Sequence, residues 1–284
     1  MGRPKVTIPV LRNMMEQGQK ITMLTAYDYP LALLEEQAGV DIILVGDSLG
    51  MTVYGMDSTL PVTLDMMINH AKAVRKGAPT AFVIGDMPYM TYQVSPQEAI
   101  RNAGRLMAEA SVDAVKMEGG EEMASTIKAV VDATIPVMGH IGLTPQSISQ
   151  LGGFKAQGRD AASAEKLMRD AKAVEEAGAF ALLVEAVPPP VLEEITRRAS
   201  IPVISLGSGK HAHGQLLIVH DILGFFDRFV PKFVKQYANL NSTIQEALKQ
   251  YVKEVREGIF PEDQYTYSMK PEELAEFKKR ISDL

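Results

Sequence analysis

Three acidic side chains follow three successive apolar runs that read as buried strands. Asp47, Asp86 and Glu118 each close one of these runs. Residues at the carboxyl ends of parallel strands surround one opening, and neighbouring strands lie about 5 Å apart, so the three carboxylates can converge on one ion. Lys116 lies two residues before Glu118 and therefore points in the same direction from its strand.

Acids that gather in one pocket repel one another unless a positive charge neutralises them. All the candidate ligands are oxygen atoms, and the chain contains no cysteine. Mg²⁺ prefers such ligands and keeps water molecules and open positions for a substrate. The sequence therefore predicts a Mg²⁺ site at Asp47, Asp86 and Glu118. Because Asp often caps the helix that follows a strand, a purely structural role for each acid is the alternative.

Two further side chains close later strands and could take part in proton transfer. Glu185 closes a strongly apolar run, where a poorly solvated carboxylate suits a general base. A structural salt bridge is the alternative for Glu185. His140 closes the preceding strand, where it could hydrogen-bond a substrate, contact a neighbouring acid or be a satisfied structural histidine.

The segment after the seventh run reads LGSGK at residues 206–210. Many α/β barrels bind phosphate at this position, but paired glycines also serve ordinary tight turns. His211 and His213 follow as a His-x-His pair, for which the sequence offers no third metal ligand. We interpret both histidines as loop residues.

The elements that position these residues recur regularly. A helical stretch rich in Ala and Glu, a short breaker and a β-branched run return roughly every 25–40 residues, the length of a βα unit. The strands are continuous apolar runs, as a parallel sheet buried on both faces requires. We predict strands near residues 21–27, 41–47, 80–86, 113–118, 136–140, 179–185 and 202–206, and a weaker eighth strand near 230–235.

This number of alternating units favours a closed (β/α)₈ TIM barrel over an open sheet. The predicted helices are amphipathic, and the one at residues 95–111 begins with Ser95 as N-cap, Pro96, and Glu98 of a capping box. No internal linker is evident, so residues 1–284 are predicted to form a single domain. A charged helix at residues 271–284 is predicted to end it.

Composition excludes several classes of protein. A length of 284 residues, 46% of them hydrophobic, suits one barrel with a sizeable core. A net charge of −6 without a basic stripe argues against a nucleic-acid partner. The absence of cysteine excludes disulfides, thiolate metal sites and a Cys nucleophile. No apolar run predicts export or a membrane span, so we expect a cytoplasmic protein.

Six stretches resemble ketopantoate hydroxymethyltransferases, also called 3-methyl-2-oxobutanoate hydroxymethyltransferases. They are TAYDY (25–29), VGDSLGM (45–51), DSTLPVT (57–63), VKMEGG (115–120), GHIGLTPQ (139–146) and HDILG (220–224). Motifs of this length in this order are highly specific.

The resemblance implies a (β/α)₈ barrel that commonly assembles as a decamer of two pentameric rings. It implies an enzyme of pantothenate and coenzyme A biosynthesis. The reaction would transfer a hydroxymethyl group from 5,10-methylenetetrahydrofolate to 3-methyl-2-oxobutanoate and so give 2-dehydropantoate.

The resemblance also implies roles for particular residues. Mg²⁺ would bind around Asp47, Asp86 and Glu118, and Glu185 would accept a proton. The keto acid would contact Asp47, Ser48, Asp86 and Lys116.

The expected chemistry requires an acidic C3–H bond in the keto acid. Chelation of Mg²⁺ through the carboxylate and keto oxygens would stabilise the enolate that forms when the proton leaves. We expect Asp47 and Asp86 to be direct ligands, whereas Glu118 could bind directly or through water. Lys116 would hold negative charge.

The chain departs from the family's pattern after the seventh strand. The family usually carries an acidic residue where His213 precedes Gly214, and it reads Gly-Ile-Gly-Ala-Gly where this chain has SLGSG at residues 205–209. These differences concern the loop around residues 205–215 and could affect the folate side of the pocket.

Two other functions compete with this one. Another enzyme of the phosphoenolpyruvate mutase/isocitrate lyase group would share the barrel and an acidic Mg²⁺ site, but its lyases use a catalytic Cys, which this chain lacks. A non-catalytic keto-acid-binding homologue would keep the pocket without turnover, and only the altered loop favours it.

Overall fold

A computed structural model describes residues 3–153, 155–226 and 230–282. Within these ranges eight parallel strands form a closed barrel in sequence order, with the last strand pairing with the first. They are β1 (Ile21–Thr25), β2 (Ile42–Val45), β3 (Phe82–Asp86), β4 (Ala114–Glu118), β5 (Val137–Gly142), β6 (Ala181–Glu185), β7 (Val203–Leu206) and β8 (Gly214–Leu217). The predicted fold class is confirmed.

Helices follow most of the strands and cover the outside of the barrel. In chain order the described helices are α1 (Ile8–Glu16), α2 (Tyr29–Ala38), α3 (Leu49–Thr52), α4 (Leu64–Gly77), α5 (Pro96–Ala110), α6 (Ala124–Asp132), α7 (Ile148–Leu151), α8 (Ala161–Glu176), α9 (Pro189–Arg198), α10 (Val219–Ile222), α11 (Leu240–Arg256) and α12 (Pro271–Arg280). Short 3₁₀ helices lie at Glu121–Met123, Pro145–Ser147 and Asp263–Tyr265.

The strands are buried because their side chains alternate between two apolar layers. On β4, Val115 and Met117 join the layer between the barrel and its helices, whereas Ala114 joins the layer inside the barrel. Lys116 and Glu118 follow Ala114 at intervals of two and therefore also point inward. The barrel interior is thus apolar in its middle and polar at the carboxyl ends of the strands.

The amino end of the barrel is filled by apolar side chains. Leu11 and Met14 of α1 pack in the same cluster as the inward-facing strand residues. Phe82 and Phe180 lie in this cluster too, with ring centroids 5.4 Å apart. Chemistry inside the barrel is therefore confined to the carboxyl end.

The prediction of the eighth strand near residues 230–235 was wrong. Seven strands lie within or close to their predicted ranges, but the eighth is β8, and residues 230–235 form no strand. The apolar run at residues 216–219 is divided between β8 and α10, so neither part has the length of a typical strand. Gly214 permits the close approach to β1, because a Cβ there would lie 2.5 Å from the Ile21 carbonyl oxygen.

Other local predictions agree with the structure. The backbone N–H of Glu98 donates to Ser95 Oγ (3.2 Å) at the start of α5, and Pro96 is its first residue. The helix predicted at residues 271–284 corresponds to α12, which ends at Arg280, and residues 283 and 284 lie outside the described residues. No helix in the described ranges is long and apolar enough to cross a bilayer.

Candidate active site

A buried ammonium group lies among the acids at the carboxyl ends of the strands. Lys116 Nζ lies 2.8 Å from Asp86 Oδ1 and 3.4 Å from Glu118 Oε1. The β3–β4 register places Asp86 beside Lys116, and Glu118 shares the inward face of β4 as predicted. Burial acts to lower the pKa of Lys116, but Asp86, Glu118 and Asp47 raise it above its ordinary value, so the side chain keeps its charge.

Asp47 and Asp86 are adjacent and almost fully enclosed. The backbone N–H of Asp47 donates to Asp86 Oδ2 (3.1 Å). Burial and then the charge of Asp86 raise the pKa of Asp47 well above its ordinary range. Burial also raises the pKa of Asp86, although Lys116 opposes this effect. Without an added cation, this pair therefore holds protons more strongly than exposed carboxylates do.

Glu118 is the more readily ionised acid of the group. Its Oε2 accepts a hydrogen bond from the backbone N–H of Gln146 (3.0 Å). Burial acts to raise the pKa of Glu118, but Lys116, His140 and this N–H together lower it. Glu118 therefore brings permanent negative charge to the site.

These acids do not cap the helices that follow them. After β2, Ser48 occupies the N-cap position of α3 without a side-chain cap hydrogen bond, and after β3, Ser95 caps α5. The N-cap positions after β4 belong to Gly120 and Met123. The carboxylates lie beside one another instead, so capping does not explain them.

His140 links the acidic group to Glu185. Its Nδ1 lies 3.3 Å from both Glu118 Oε1 and Lys116 Nζ, and its Nε2 lies 3.1 Å from Glu185 Oε2. Burial and Lys116 act to lower the pKa of His140, but the contacts with Glu118 and Glu185 outweigh them and raise it to about 8. The contact with neighbouring acids, one of the possibilities that the sequence left open, is present. The hydrogen bond to a substrate stays a prediction.

Ser48 lies directly after Asp47, and its side chain contacts a residue that follows β1. Its hydroxyl is 2.8 Å from the phenol oxygen of Tyr27, the second residue after β1. Burial raises the pKa of Tyr27 to about 12, so the phenol stays protonated. The hydroxyl of Ser48 therefore has a fixed neutral partner beside the acids.

Sequence reasoning missed two residues that hold the acids together. Gln146 Nε2 donates to Asp47 Oδ2 (3.0 Å) and to the Met87 carbonyl (2.9 Å). Tyr92 donates to Gln146 Oε1 (2.8 Å) and accepts from the backbone N–H of Glu118 (3.1 Å). Both side chains are buried. Gln146 was part of a recognised motif but had no assigned role, and no local pattern marked Tyr92.

The unusual loop after β7 begins beside Glu185 and ends away from the acids. Ser208 Oγ donates to the Val184 carbonyl (3.0 Å) and accepts from the Val187 N–H (2.9 Å), on either side of Glu185. No helix separates β7 from β8 in the described chain, and residues 207–213 run directly between them. His213 Nδ1 accepts a hydrogen bond from the Val203 N–H (3.0 Å) at the amino ends of these strands. His211 Nδ1 lies 3.6 Å from Glu193 Oε1, and Lys210 is exposed. Both histidines are loop residues, as interpreted.

The donor set fits Mg²⁺ if water and substrate complete the coordination. No three His, Asp or Glu side chains in the described part of the chain are spaced to enclose a metal ion by themselves. Mg²⁺, however, commonly binds through one or two carboxylates and keeps several water ligands. Asp86 Oδ1 is buried, and Lys116 Nζ at 2.8 Å is the one partner that the described residues give it, so the oxygen has capacity to accept a cation.

The fold occurs in solved structures with other chemistry. A phosphonopyruvate hydrolase in complex with oxalate and Mg²⁺ superposes with a TM-score of 0.60 at 16% identity, covering 96% of this chain and 95% of that one. A 2,3-dimethylmalate lyase, a member of the PEP mutase/isocitrate lyase superfamily, gives 0.59 at 18% identity, covering 96% of this chain and 95% of that one. Likeness at this identity supports the fold alone.

Other proteins are much more similar to this chain in amino-acid sequence. The 3-methyl-2-oxobutanoate hydroxymethyltransferase of Carboxydothermus hydrogenoformans is 53% identical, covering 95% of this chain and 98% of that protein. The protein of the same name from Moorella thermoacetica is 54% identical, covering 93% and 98% respectively. The ketopantoate hydroxymethyltransferase family profile matches residues 5–263. This chain therefore belongs to the ketopantoate hydroxymethyltransferase family.

Proposed function

We propose that this protein transfers a hydroxymethyl group from 5,10-methylenetetrahydrofolate to 3-methyl-2-oxobutanoate. The product is 2-dehydropantoate, an intermediate of pantothenate and coenzyme A biosynthesis, and we place the reaction in the cytoplasm. The main support for this proposal is the cluster of buried acids around Lys116, which His140 connects to Glu185, in a chain of this family. Product formation that needs the keto acid, the folate donor and Mg²⁺ together tests the proposal.

In this proposal the acids hold the metal and the keto acid side by side. Asp47 and Asp86 would bind Mg²⁺ directly, and Glu118 would bind it directly or through water. When bound, Mg²⁺ supplies a Lewis acid that makes the C3–H bond of the keto acid more acidic. The keto acid would contact Asp47, Ser48, Asp86 and Lys116.

Glu185 would accept the C3 proton. Its side chain is only 12% exposed, and His140 holds its Oε2 at 3.1 Å on the side of the acids. Lys116 would stabilise negative charge on the substrate through its ammonium group. The C3 carbon would then form a bond to the methylene carbon of the folate donor, and water would supply the hydroxyl oxygen of the product. Both bonds from that methylene carbon to the folate nitrogens break, and tetrahydrofolate leaves with the two protons lost by the keto acid and the water.

The two competing functions have less support than this one. The likeness to the PEP mutase/isocitrate lyase group extends to the fold, and the sequence has no cysteine to serve as its lyases' catalytic residue. A non-catalytic homologue was favoured only by the altered loop. His213 in that loop lies at the amino ends of β7 and β8, away from the acids, but Ser208 bonds the backbone on either side of Glu185. The turnover assay separates this alternative from the proposed enzyme.

The affinity for Mg²⁺ is expected to rise with pH. Burial raises the pKa of Asp47 and of Asp86 in the metal-free protein, so at low pH the cation must displace protons that these groups hold. Titration calorimetry between about pH 6 and about pH 8, in buffers of different ionisation enthalpy, should detect proton release on binding that diminishes as pH rises. Affinity that is independent of pH would contradict metal binding at this pair.

We also propose that the protein is a homo-oligomer, as the decameric family resemblance implies. In the described structure α11 and α12 contain no buried residue. One face of α11 carries exposed apolar side chains: Ile244, Leu248, Tyr251, Val252 and Val255. Surfaces of this kind mark protein interfaces. A second copy of this chain is the proposed occupant, since a closed ring requires each copy to provide the same surfaces.

Light scattering should therefore report a mass several-fold above the 31.0 kDa chain. The double variant Leu248→Glu, Val252→Glu should have a lower mass, because buried charges without partners destabilise an apolar interface. Lys249→Glu on the same helix is the matched control. A parent protein that is monomeric and fully active would contradict the proposed oligomer but not the proposed reaction. A double variant with the mass of the parent would show that the interface does not involve this face of α11.

A further inference from the structure

One buried residue contacts carboxylates that come from two different strands. Gln146 lies in the 3₁₀ helix Pro145–Ser147, which follows β5. Its backbone N–H donates to Glu118 Oε2 (3.0 Å), and its side-chain Nε2 donates to Asp47 Oδ2 (3.0 Å). Asp47 follows β2 and Glu118 ends β4, so Gln146 connects two acids that have β3 between them.

The other hydrogen-bonding groups of the Gln146 amide are also occupied. Its Nε2 donates a second hydrogen bond to the carbonyl of Met87 (2.9 Å), the residue directly after β3. Its Oε1 accepts from the hydroxyl of Tyr92 (2.8 Å) and from Gln93 Nε2 (3.0 Å). An amide side chain has two N–H donors and two acceptor lone pairs, so all four positions are filled.

Tyr92 determines which end of this amide faces Asp47. The Tyr92 oxygen accepts from the backbone N–H of Glu118 (3.1 Å), which leaves its single hydrogen for Gln146 Oε1. Exchange of the amide nitrogen and oxygen would place an acceptor against Asp47 Oδ2 and against the Met87 carbonyl. The donor end of Gln146 is therefore fixed toward Asp47, and the proposed reaction assigns Gln146 no contact with a substrate.

We propose that Gln146, oriented by Tyr92, is a positioning residue that fixes Asp47 and Glu118 relative to each other and thereby favours Mg²⁺ over the larger Ca²⁺. This inference rests on the proposed metal site at Asp47, Asp86 and Glu118. Mg²⁺ requires nearly octahedral ligands at about 2.0–2.1 Å, whereas Ca²⁺ accepts flexible geometry at about 2.3–2.6 Å. Carboxylates that are free to move should therefore bind Mg²⁺ less well and lose less affinity for Ca²⁺.

The test is titration calorimetry of the full-length Gln146→Met variant with Mg²⁺ and, separately, with Ca²⁺. Met has a similar length and volume but cannot donate a hydrogen bond. The Kd for Mg²⁺ should rise about 10–100-fold, the usual effect of losing a partner that orients a metal ligand. The ratio of the Kd for Ca²⁺ to the Kd for Mg²⁺ should fall by at least about fivefold.

Gln37→Met is the matched control, because Gln37 is exposed near the end of α2. This variant should bind both ions as the parent does. A second measurement is exchange of the C3 hydrogen of 3-methyl-2-oxobutanoate with deuterated water, followed by NMR without folate. In Gln146→Met the Mg²⁺ concentration that gives half-maximal exchange should rise by the same factor as the Kd.

A purely structural role for Gln146 would lower the melting temperature and leave both dissociation constants of the folded protein unchanged, which would overturn the proposal. Equal weakening of Mg²⁺ and Ca²⁺ binding would overturn it as well. Should Gln146→Met not fold, Tyr92→Phe removes only the hydroxyl that orients the amide and should change the same ratio in the same direction, by a smaller factor. Parental affinities in Tyr92→Phe would then overturn the proposal.

Failure of the proposed metal site gives a different result. In that case Asp47→Asn and Asp86→Asn would bind Mg²⁺ as the parent does, and the role of Gln146 would be overturned together with the site. If only the role of Gln146 is wrong, the two Asn variants lose affinity while Gln146→Met keeps it. Weaker Mg²⁺ binding in all three variants, with a lowered ratio in Gln146→Met, supports both.

Discussion

Replacing Glu185 with Gln should lower turnover by roughly 10²–10⁴-fold, the usual scale for loss of a general base. The amide keeps the shape of the side chain and nearly all its packing, but it cannot accept the C3 proton. Mg²⁺ and the keto acid should still bind, because their proposed ligands come from β2, β3 and β4. The informative measurement is C3 hydrogen exchange in deuterated water without folate, in which the parent should exchange and the variant should not.

Glu193→Gln makes the same chemical change at an exposed position on α9 and serves as the control. It should exchange at the parental rate. Unchanged exchange in Glu185→Gln would assign the proton acceptor elsewhere. His140 would then be the next candidate, because it lies 3.1 Å from Glu185 and contacts the acids on its other side.

A chelator should abolish activity, and Mg²⁺ should restore it. Asp47→Asn and Asp86→Asn should each weaken Mg²⁺ binding by at least about 10²-fold, since even the loss of outer-shell partners costs 10–100-fold in metal affinity. Asn is preferable to Ala at these positions because it fills the same volume. At position 86 it also retains an oxygen that can accept the Asp47 N–H.

We expect two measurements to compare each variant with the parent: calorimetric titration with Mg²⁺ and the dependence of turnover on Mg²⁺ concentration. Asp132→Asn on α6 is the matched control, because Asp132 is exposed and pairs only with Lys128 among the contacts described for it. If Asp47→Asn and Asp86→Asn bind Mg²⁺ and turn over as the parent does, the metal site has been assigned to the wrong residues.

The parts of the fold that the sequence predicted are those with strong local patterns. Seven strands are continuous apolar runs bounded by breakers, and each of the acids closes one of them. The parallel arrangement then brings the strand ends to one opening without further information. The inward direction shared by Lys116 and Glu118 follows from the two-residue period of a strand.

The parts that escaped prediction depend on contacts between distant segments. β8 is four residues long and exists because Gly214 can pack against β1. Gln146 and Tyr92 lie in the segments after β5 and β3, and their hydrogen bonds to the acids join residues 26 to 99 positions apart. The bonds of Ser208 are of the same kind. The hydrophobic periodicity of a sequence indicates which face of a helix or strand is buried. It does not indicate which loop residue forms a hydrogen bond with that element.

The most direct test of the proposed function is product formation from 3-methyl-2-oxobutanoate, followed by NMR, with each component omitted in turn. We expect 2-dehydropantoate to form only when the keto acid, 5,10-methylenetetrahydrofolate and Mg²⁺ are all present. Other 2-keto acids serve as competing substrates in the same assay and should react more slowly. No product in the complete mixture, from folded protein that binds the keto acid, would contradict the proposed transfer and favour a binding protein without turnover.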